Sequence, residues 1–145
     1  MLRAAFETDA GKVGAILSEF IDETLWMPRI HTRAEDIGFS GMMIDRGWVT
    51  VALLDDVIVG FLALDGSDIQ ALYVARSFWR KGCGQCLIDH AKSNGTSLSL
   101  WTFQANESAR LFYLDQGFRE VERTNGAGND EKLPDIRLTW QGEAK

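Results

Sequence analysis

Two adjacent cations, Arg80 and Lys81, stand directly before Gly82-Cys83-Gly84, and an apolar helical pattern follows in Leu87, Ile88 and Ala91. This order of residue types suits capture of a phosphate or pyrophosphate. Glycines leave backbone N–H groups uncovered, the first turn of a helix has N–H groups without partners inside the helix, and the helix dipole adds positive charge at the same end. The element that must deliver the chain to this turn is a strand over Ile69 to Val74, where Ile69, Ala71 and Tyr73 alternate with Gln70, Leu72 and Val74. Residues 72–92 thus form one strand, turn and helix unit built around an anion.

Spacing separates the owners of such a unit. A dinucleotide fingerprint needs a third glycine where this chain has Leu87, and a nucleotide-hydrolase loop needs Gly-Lys followed by Ser or Thr, whereas here Gly82 follows Lys81. Cys83 and Cys86 have the Cys-x-x-Cys spacing of a redox pair. A redox fold would end its strand immediately before the first cysteine, but residues 75–82 intervene, so packing within the helix is the plainer role. Adding His90 makes a possible metal cluster that lacks a fourth ligand nearby, and no metal is expected.

A second segment, Asn106 to Phe118, supplies Asn-x-x-Ala-x-x-x-Tyr followed by Gly117-Phe118. Asn106 can cap a helix, Ala109, Leu111, Phe112 and Tyr113 give it a buried side, and Gly117 suits the left-handed residue that ends it. Taken together and in this order, the two segments resemble the acetyl-CoA-binding and later motifs of the GCN5-related N-acetyltransferases. In that family Leu-x-Val precedes a loop Arg/Gln-x-x-Gly-x-Gly/Ala. Leu72 and Val74 match the start and Gly82 and Gly84 the end, while the Arg/Gln slot falls on Trp79 with Arg80 one residue later.

At 145 residues the chain has the length of one domain, with 46% hydrophobic and 25% charged residues. A formal charge of −6 argues against a nucleic-acid partner. No apolar run is long enough to span a membrane, and no leader-like segment opens the chain, so a cytoplasmic protein is expected. Residues 2–6 read as a strand and Thr8-Asp9 as the cap of a helix reaching about Phe20 or Ile21. Thr32-Arg33-Ala34-Glu35 is a capping box opening a second helix to about Arg46. Strands follow at 48–54, 57–64 and 69–74, then the anion-site helix, a strand at 98–102, the second-motif helix, and strands at 118–124 and 135–140 around a ten-residue polar loop, 125–134.

This order implies an α/β (α+β) fold with a mixed, mostly antiparallel sheet of six to seven strands and helices on both faces. The resemblance implies the same fold for residues 1–145 as one acetyltransferase domain. It also implies that the strand ending at Val74 and the one ending near Thr102 splay to admit the cofactor's arm. Cofactor contacts are expected from Leu72, Tyr73, Val74, Trp79, Arg80, Lys81, Gly82, Cys83, Gly84, Gln85 and Asn106. The activity implied is direct transfer of acetyl from acetyl-CoA to a primary amine of a small-molecule or amino-acid-like acceptor. Tyr113 occupies the family's acid position. Acceptor contacts are expected from Glu23, Trp26, Met27, Arg29 and His31, between the first two helices, and Glu19, Glu23 and His31 stand as candidate bases. A module that binds acyl-CoA without turnover is the alternative, and a homodimer is left open.

Overall fold

The structure, a computed structural model, describes residues 1–142. Its elements are β1 (Leu2–Ala4), α1 (Ala10–Glu23), α2 (Arg33–Asp45), β2 (Val49–Leu54), β3 (Val57–Asp65), β4 (Asp68–Val74), α3 (Cys83–Ser93), β5 (Ser97–Phe103), α4 (Glu107–Asp115), β6 (Arg119–Thr124) and β7 (Asp135–Gln141). The strands form one sheet in the order β1-β2-β3-β4-β5-β7-β6, antiparallel everywhere except between β4 and β5.

Alternation along the strands feeds two cores. Phe61, Ala63, Val49 and Val51 face α1 and α2, where they meet Val13, Ile16, Met43 and Ile44. Leu62, Leu98, Leu100, Ile136 and Leu138 face the other way, onto Leu87, Ile88 and Ala91 of α3 and Tyr113 of α4. These three α3 residues are fully buried, as their helical spacing requires.

Several local expectations change, and on α4 Leu111 is 60% exposed instead of lying on the buried side. The first strand stops at Ala4 and α1 runs on to Glu23. Asp9 precedes α1, but its carboxylate does not cap the helix; it accepts from Phe6 N–H at 2.7 Å and from Arg3 at 2.8 Å. A nearby guanidinium is a stronger partner than a neutral helix N–H, so the side chain turns back toward β1. The capping box of α2 forms as the sequence predicts, with Glu35 N–H donating to Thr32 Oγ1 at 3.1 Å and Thr32 N–H to Glu35 Oε1 at 2.9 Å.

Candidate active site

The sheet opens where its one parallel pair fails. β4 and β5 are matched only at Asp68↔Ser99 and Ile69↔Leu100, yet β4 continues to Val74 and β5 to Phe103. On its other edge β4 stays paired to β3, with Gly60 opposite Val74 and Ala75 N–H donating to Val59 O at 2.8 Å. In an antiparallel ladder the bonded positions alternate, so Leu72 and Val74 turn their N–H and C=O groups away from β3 and into the opening. The carbonyl of Val74 accepts the indole N–H of Trp79 at 2.7 Å.

Past Ala75 the chain makes a short 3-10 turn, Arg76–Phe78, and reaches α3 through Arg80 and Gly82, both left-handed, with φ of 64° and 82°. Glycine accepts this conformation freely, whereas arginine does not. Among the described residues, the backbone N–H groups of Arg80 through Gln85 donate to no backbone carbonyl outside α3, and α3 has no side-chain cap. These are the uncovered donors that an anion needs. The Arg76 guanidinium lies 4.3 Å from the Trp79 ring centroid and the Lys81 ammonium 5.8 Å from that of Phe78.

The two glycines serve different ends. A Cβ on Gly82 would meet nothing within 4 Å, so only its backbone angle demands glycine. A Cβ on Gly84 would stand 3.4 Å from the Phe112 ring, an ordinary contact, so only a side chain larger than alanine would press on α4. Cys83 faces inward against β3, its sulfur 3.0 Å from where a Cβ on Gly60 would sit, while Cys86 is exposed. Burial pushes the Cys83 thiol up, the direction opposite to a reactive thiolate. The Gln85 side chain is tied to Gln116 by two amide hydrogen bonds of 2.7 Å, which leaves its backbone N–H at the turn. Asn106 caps α4, its Oδ1 accepting from Ala109 N–H at 3.1 Å.

Tyr113 is 7% exposed and wedged between Phe112 and Phe118, with ring centroids 5.2 and 5.4 Å away. Among the described residues its hydroxyl makes no hydrogen bond, yet no fully enclosed side-chain polar atom lacks a partner, so this oxygen borders open space. Burial raises its pKa, and so would a charge on Tyr73. The group is therefore a phenol with its proton in place.

The segment joining α1 to α2 divides its residues between wall and brace. Trp26 meets Phe20 at 6.5 Å and Phe103, the last residue of β5, at 5.7 Å, and Phe20 meets Tyr73 at 5.0 Å. These rings line the opening opposite α3. Met27 is half-buried beside them in sequence and Glu23 is exposed at the end of α1. Arg29 is a brace: its guanidinium reaches Asp22 at 2.7 Å, Asp36 at 3.0 Å, His31 O at 2.9 Å and Ser18 O at 3.1 Å. Those bonds engage its charge with α1, α2 and the segment between them. His31 lies 3.7 Å from Glu35 and 3.9 Å from Asp130, which comes from the 125–134 loop. The same loop brings Glu131 near Tyr73, and burial first, then that charge, pushes the Tyr73 phenol up to about 12.

Sequence reasoning does not find Phe20, Phe103, Asp130 or Glu131 as members of this wall. Phe103 carries the only local signal, since it continues the β5 alternation past Trp101 at the splayed end. The others arrive through contacts far apart in the chain.

Comparison with known proteins agrees with this geometry. A family model described as an acetyltransferase (GNAT) domain matches residues 45–120. Peptidyl-lysine N-acetyltransferase YjaB of Escherichia coli (strain K12) is 30% identical over 112 residues, covering 77% of this chain and 76% of the relative. Peptidyl-lysine N-acetyltransferase YiaC of the same organism is 32% identical over 88 residues, covering 59% of this chain and 58% of that relative. Among solved structures, apo YjaB from Escherichia coli has a TM-score of 0.82 at 24% identity, covering 99% of this chain and 98% of that one. The structure of yncA from Salmonella typhimurium with acetyl-CoA has a TM-score of 0.75 at 16% identity, covering 100% and 95%. These two likenesses show the fold, and the sequence matches show the family. The chain belongs to the GNAT acetyltransferase family and is an acetyl-CoA-dependent acetyltransferase.

Proposed function

We propose that this enzyme acetylates the ε-amino group of lysine side chains presented by a polypeptide. The observation that carries this reading is the wall of Phe20, Trp26, Tyr73 and Phe103 with Asp130 and Glu131 at its rim. An apolar stem of several methylenes packs on such rings while its cationic head is drawn by the carboxylates. The names of the YjaB and YiaC relatives support the same acceptor.

Acetyl-CoA supplies the acetyl group as an activated thioester, and the residues present fit it. Leu72 offers its N–H and C=O, and Val74 its N–H, to the arm as an added strand would meet them. Arg80, Lys81 and the N–H groups of Gly82, Cys83, Gly84 and Gln85 would hold the pyrophosphate, with Trp79 and Tyr73 bordering the arm and Asn106 closing the far side. Tyr113 keeps its proton at neutral pH and donates it to the sulfur as the bond to the acetyl group breaks. The amine must lose a proton to become a nucleophile, and the exposed carboxylates and His31 at the mouth give that proton a route to water.

Initial rates of thiol release with acetyl-CoA test the acceptor. A lysine-bearing peptide is expected to exceed free lysine and simple aliphatic amines at least 10-fold in kcat/KM. Equal or faster turnover of a small amine would overturn the lysine reading.

A further inference from the structure

Arg76 is the point at which the chain leaves the sheet. The N–H of Ala75 still meets Val59 O at 2.8 Å, but the next N–H has no strand to face. Glu19 of α1 takes it, with Oε1 2.7 Å away across 57 positions of sequence. That contact ties the exit of β4 to α1. Phe78 N–H closes onto Ala75 O at 2.8 Å and Trp79 N–H onto Arg76 O at 3.2 Å; the Trp79 indole then returns to Val74 O, under the Arg76 guanidinium. The turn is closed on itself at four points and anchored from outside by this carboxylate. The neighbouring residue on α1, Phe20, packs against Tyr73 and Trp26.

We propose that Glu19 is a positioning residue for the acetyl-CoA loop, holding the exit of β4 so that the uncovered N–H groups of residues 80–85 face the pyrophosphate, and that it is not the base for the acceptor amine. One carboxylate oxygen is spent on the loop, and the role needs an acceptor atom at that reach, not a charge. The inference rests on use of acetyl-CoA and stands whichever amine is acetylated.

Three substitutions separate reach from charge. Glu19→Gln keeps an acceptor oxygen at the same length, Glu19→Asp keeps the charge but withdraws it by one methylene, and Glu19→Ala removes both. The dissociation constant of acetyl-CoA, measured by calorimetry, and steady-state rates across pH 6 to 9 are the readouts. Expected are a Gln variant within about threefold of wild type in Kd, kcat and pH profile, and Asp and Ala variants with acetyl-CoA Kd weakened roughly 10-fold, equal to 1.4 kcal/mol. Acceptor KM should stay unchanged in all three. A Gln variant that binds acetyl-CoA normally but loses kcat and the acid limb of its pH profile would make Glu19 a base. An Asp variant with wild-type acetyl-CoA affinity would equally overturn the proposal, and neither result depends on the Ala variant folding. Failure of the lysine reading would appear separately, as a change of preferred acceptor with this Kd pattern intact.

Discussion

The cofactor side and the acceptor side of this cleft are built on different principles. Around β4 and α3 the site is main chain: Leu72 and Val74 at a strand edge, then a run of N–H groups from Arg80 to Gln85. Opposite them it is side chain: Phe20, Trp26, Phe103 and carboxylates from the 125–134 loop, far from the rings in sequence. A backbone site tolerates any side chain that permits the conformation, so it is fixed by glycine and by strand register. A side-chain site changes with each substitution. One half suits a constant co-substrate and the other a variable acceptor.

Variants that touch one half and spare the other sharpen the contrast. Gly82→Val should have the largest effect on acetyl-CoA binding. A branched side chain at φ 82° costs about 1–2 kcal/mol or more from the left-handed clash, and it moves the N–H groups of the loop. The rise in melting temperature produced by acetyl-CoA should vanish in a variant that still folds. A wild-type shift would mean that the loop is not held by this residue.

On the other half, Arg29→Ala should cost about 2–4 kcal/mol, because Asp36, with a side chain only 5% exposed, is left with Ser18 as its remaining side-chain partner. Acetyl-CoA affinity should change less than about twofold if the halves are independent. Urea denaturation and calorimetry on the same protein check both, and a large loss of acetyl-CoA affinity would show that the brace of the α1–α2 segment also shapes the cofactor loop.

The smallest effects are electrostatic and belong to the whole fold. Hydrogen bonds from Arg3, Arg29, the Thr32 N–H and Arg123 hold Asp9, Asp22, Glu35 and Glu120 below the usual carboxylate range. Their stabilisation is full above the unfolded values near ~4 and is lost as pH falls through the lower folded values. Tyr73, pushed up to about 12, has the opposite sign: its contribution is full below the unfolded value near ~10 and is lost as pH rises toward 12. Denaturation midpoints against pH should form a plateau falling at both ends, and a loss of stability beginning at pH 6 would contradict these assignments.

The same division explains what could be read from the chain alone. Gly82, the Asn106 cap and the Thr32–Glu35 box are local: each residue acts within a few positions of itself, so spacing carries the information. Gly84 shows the limit, since its spacing matches a phosphate loop while its contact is with Phe112, on another helix. Arg29 is placed near the acceptor by position, but the four groups that claim its guanidinium come from α1, α2 and the loop between them. Asp9 turned from its expected cap to Arg3 for the same reason, a competing partner that spacing does not reveal. The loop at 125–134 is visible as long and polar, yet nothing in its composition says that Asp130 meets His31.

Tyr113 is where the two halves meet, and it offers the most direct test. Tyr113→Phe keeps the packing against Phe112 and Phe118 and deletes a hydroxyl without a protein partner among the described residues, so stability should change by less than about 0.5 kcal/mol. Acetyl-CoA affinity should be unaltered. Single-turnover rates with a lysine-bearing acceptor should fall roughly 10- to 1,000-fold, with the deficit shrinking at high pH as the leaving thiolate needs its proton less. A Phe variant with wild-type single-turnover rates would contradict the account and leave Tyr113 a packing residue of the core.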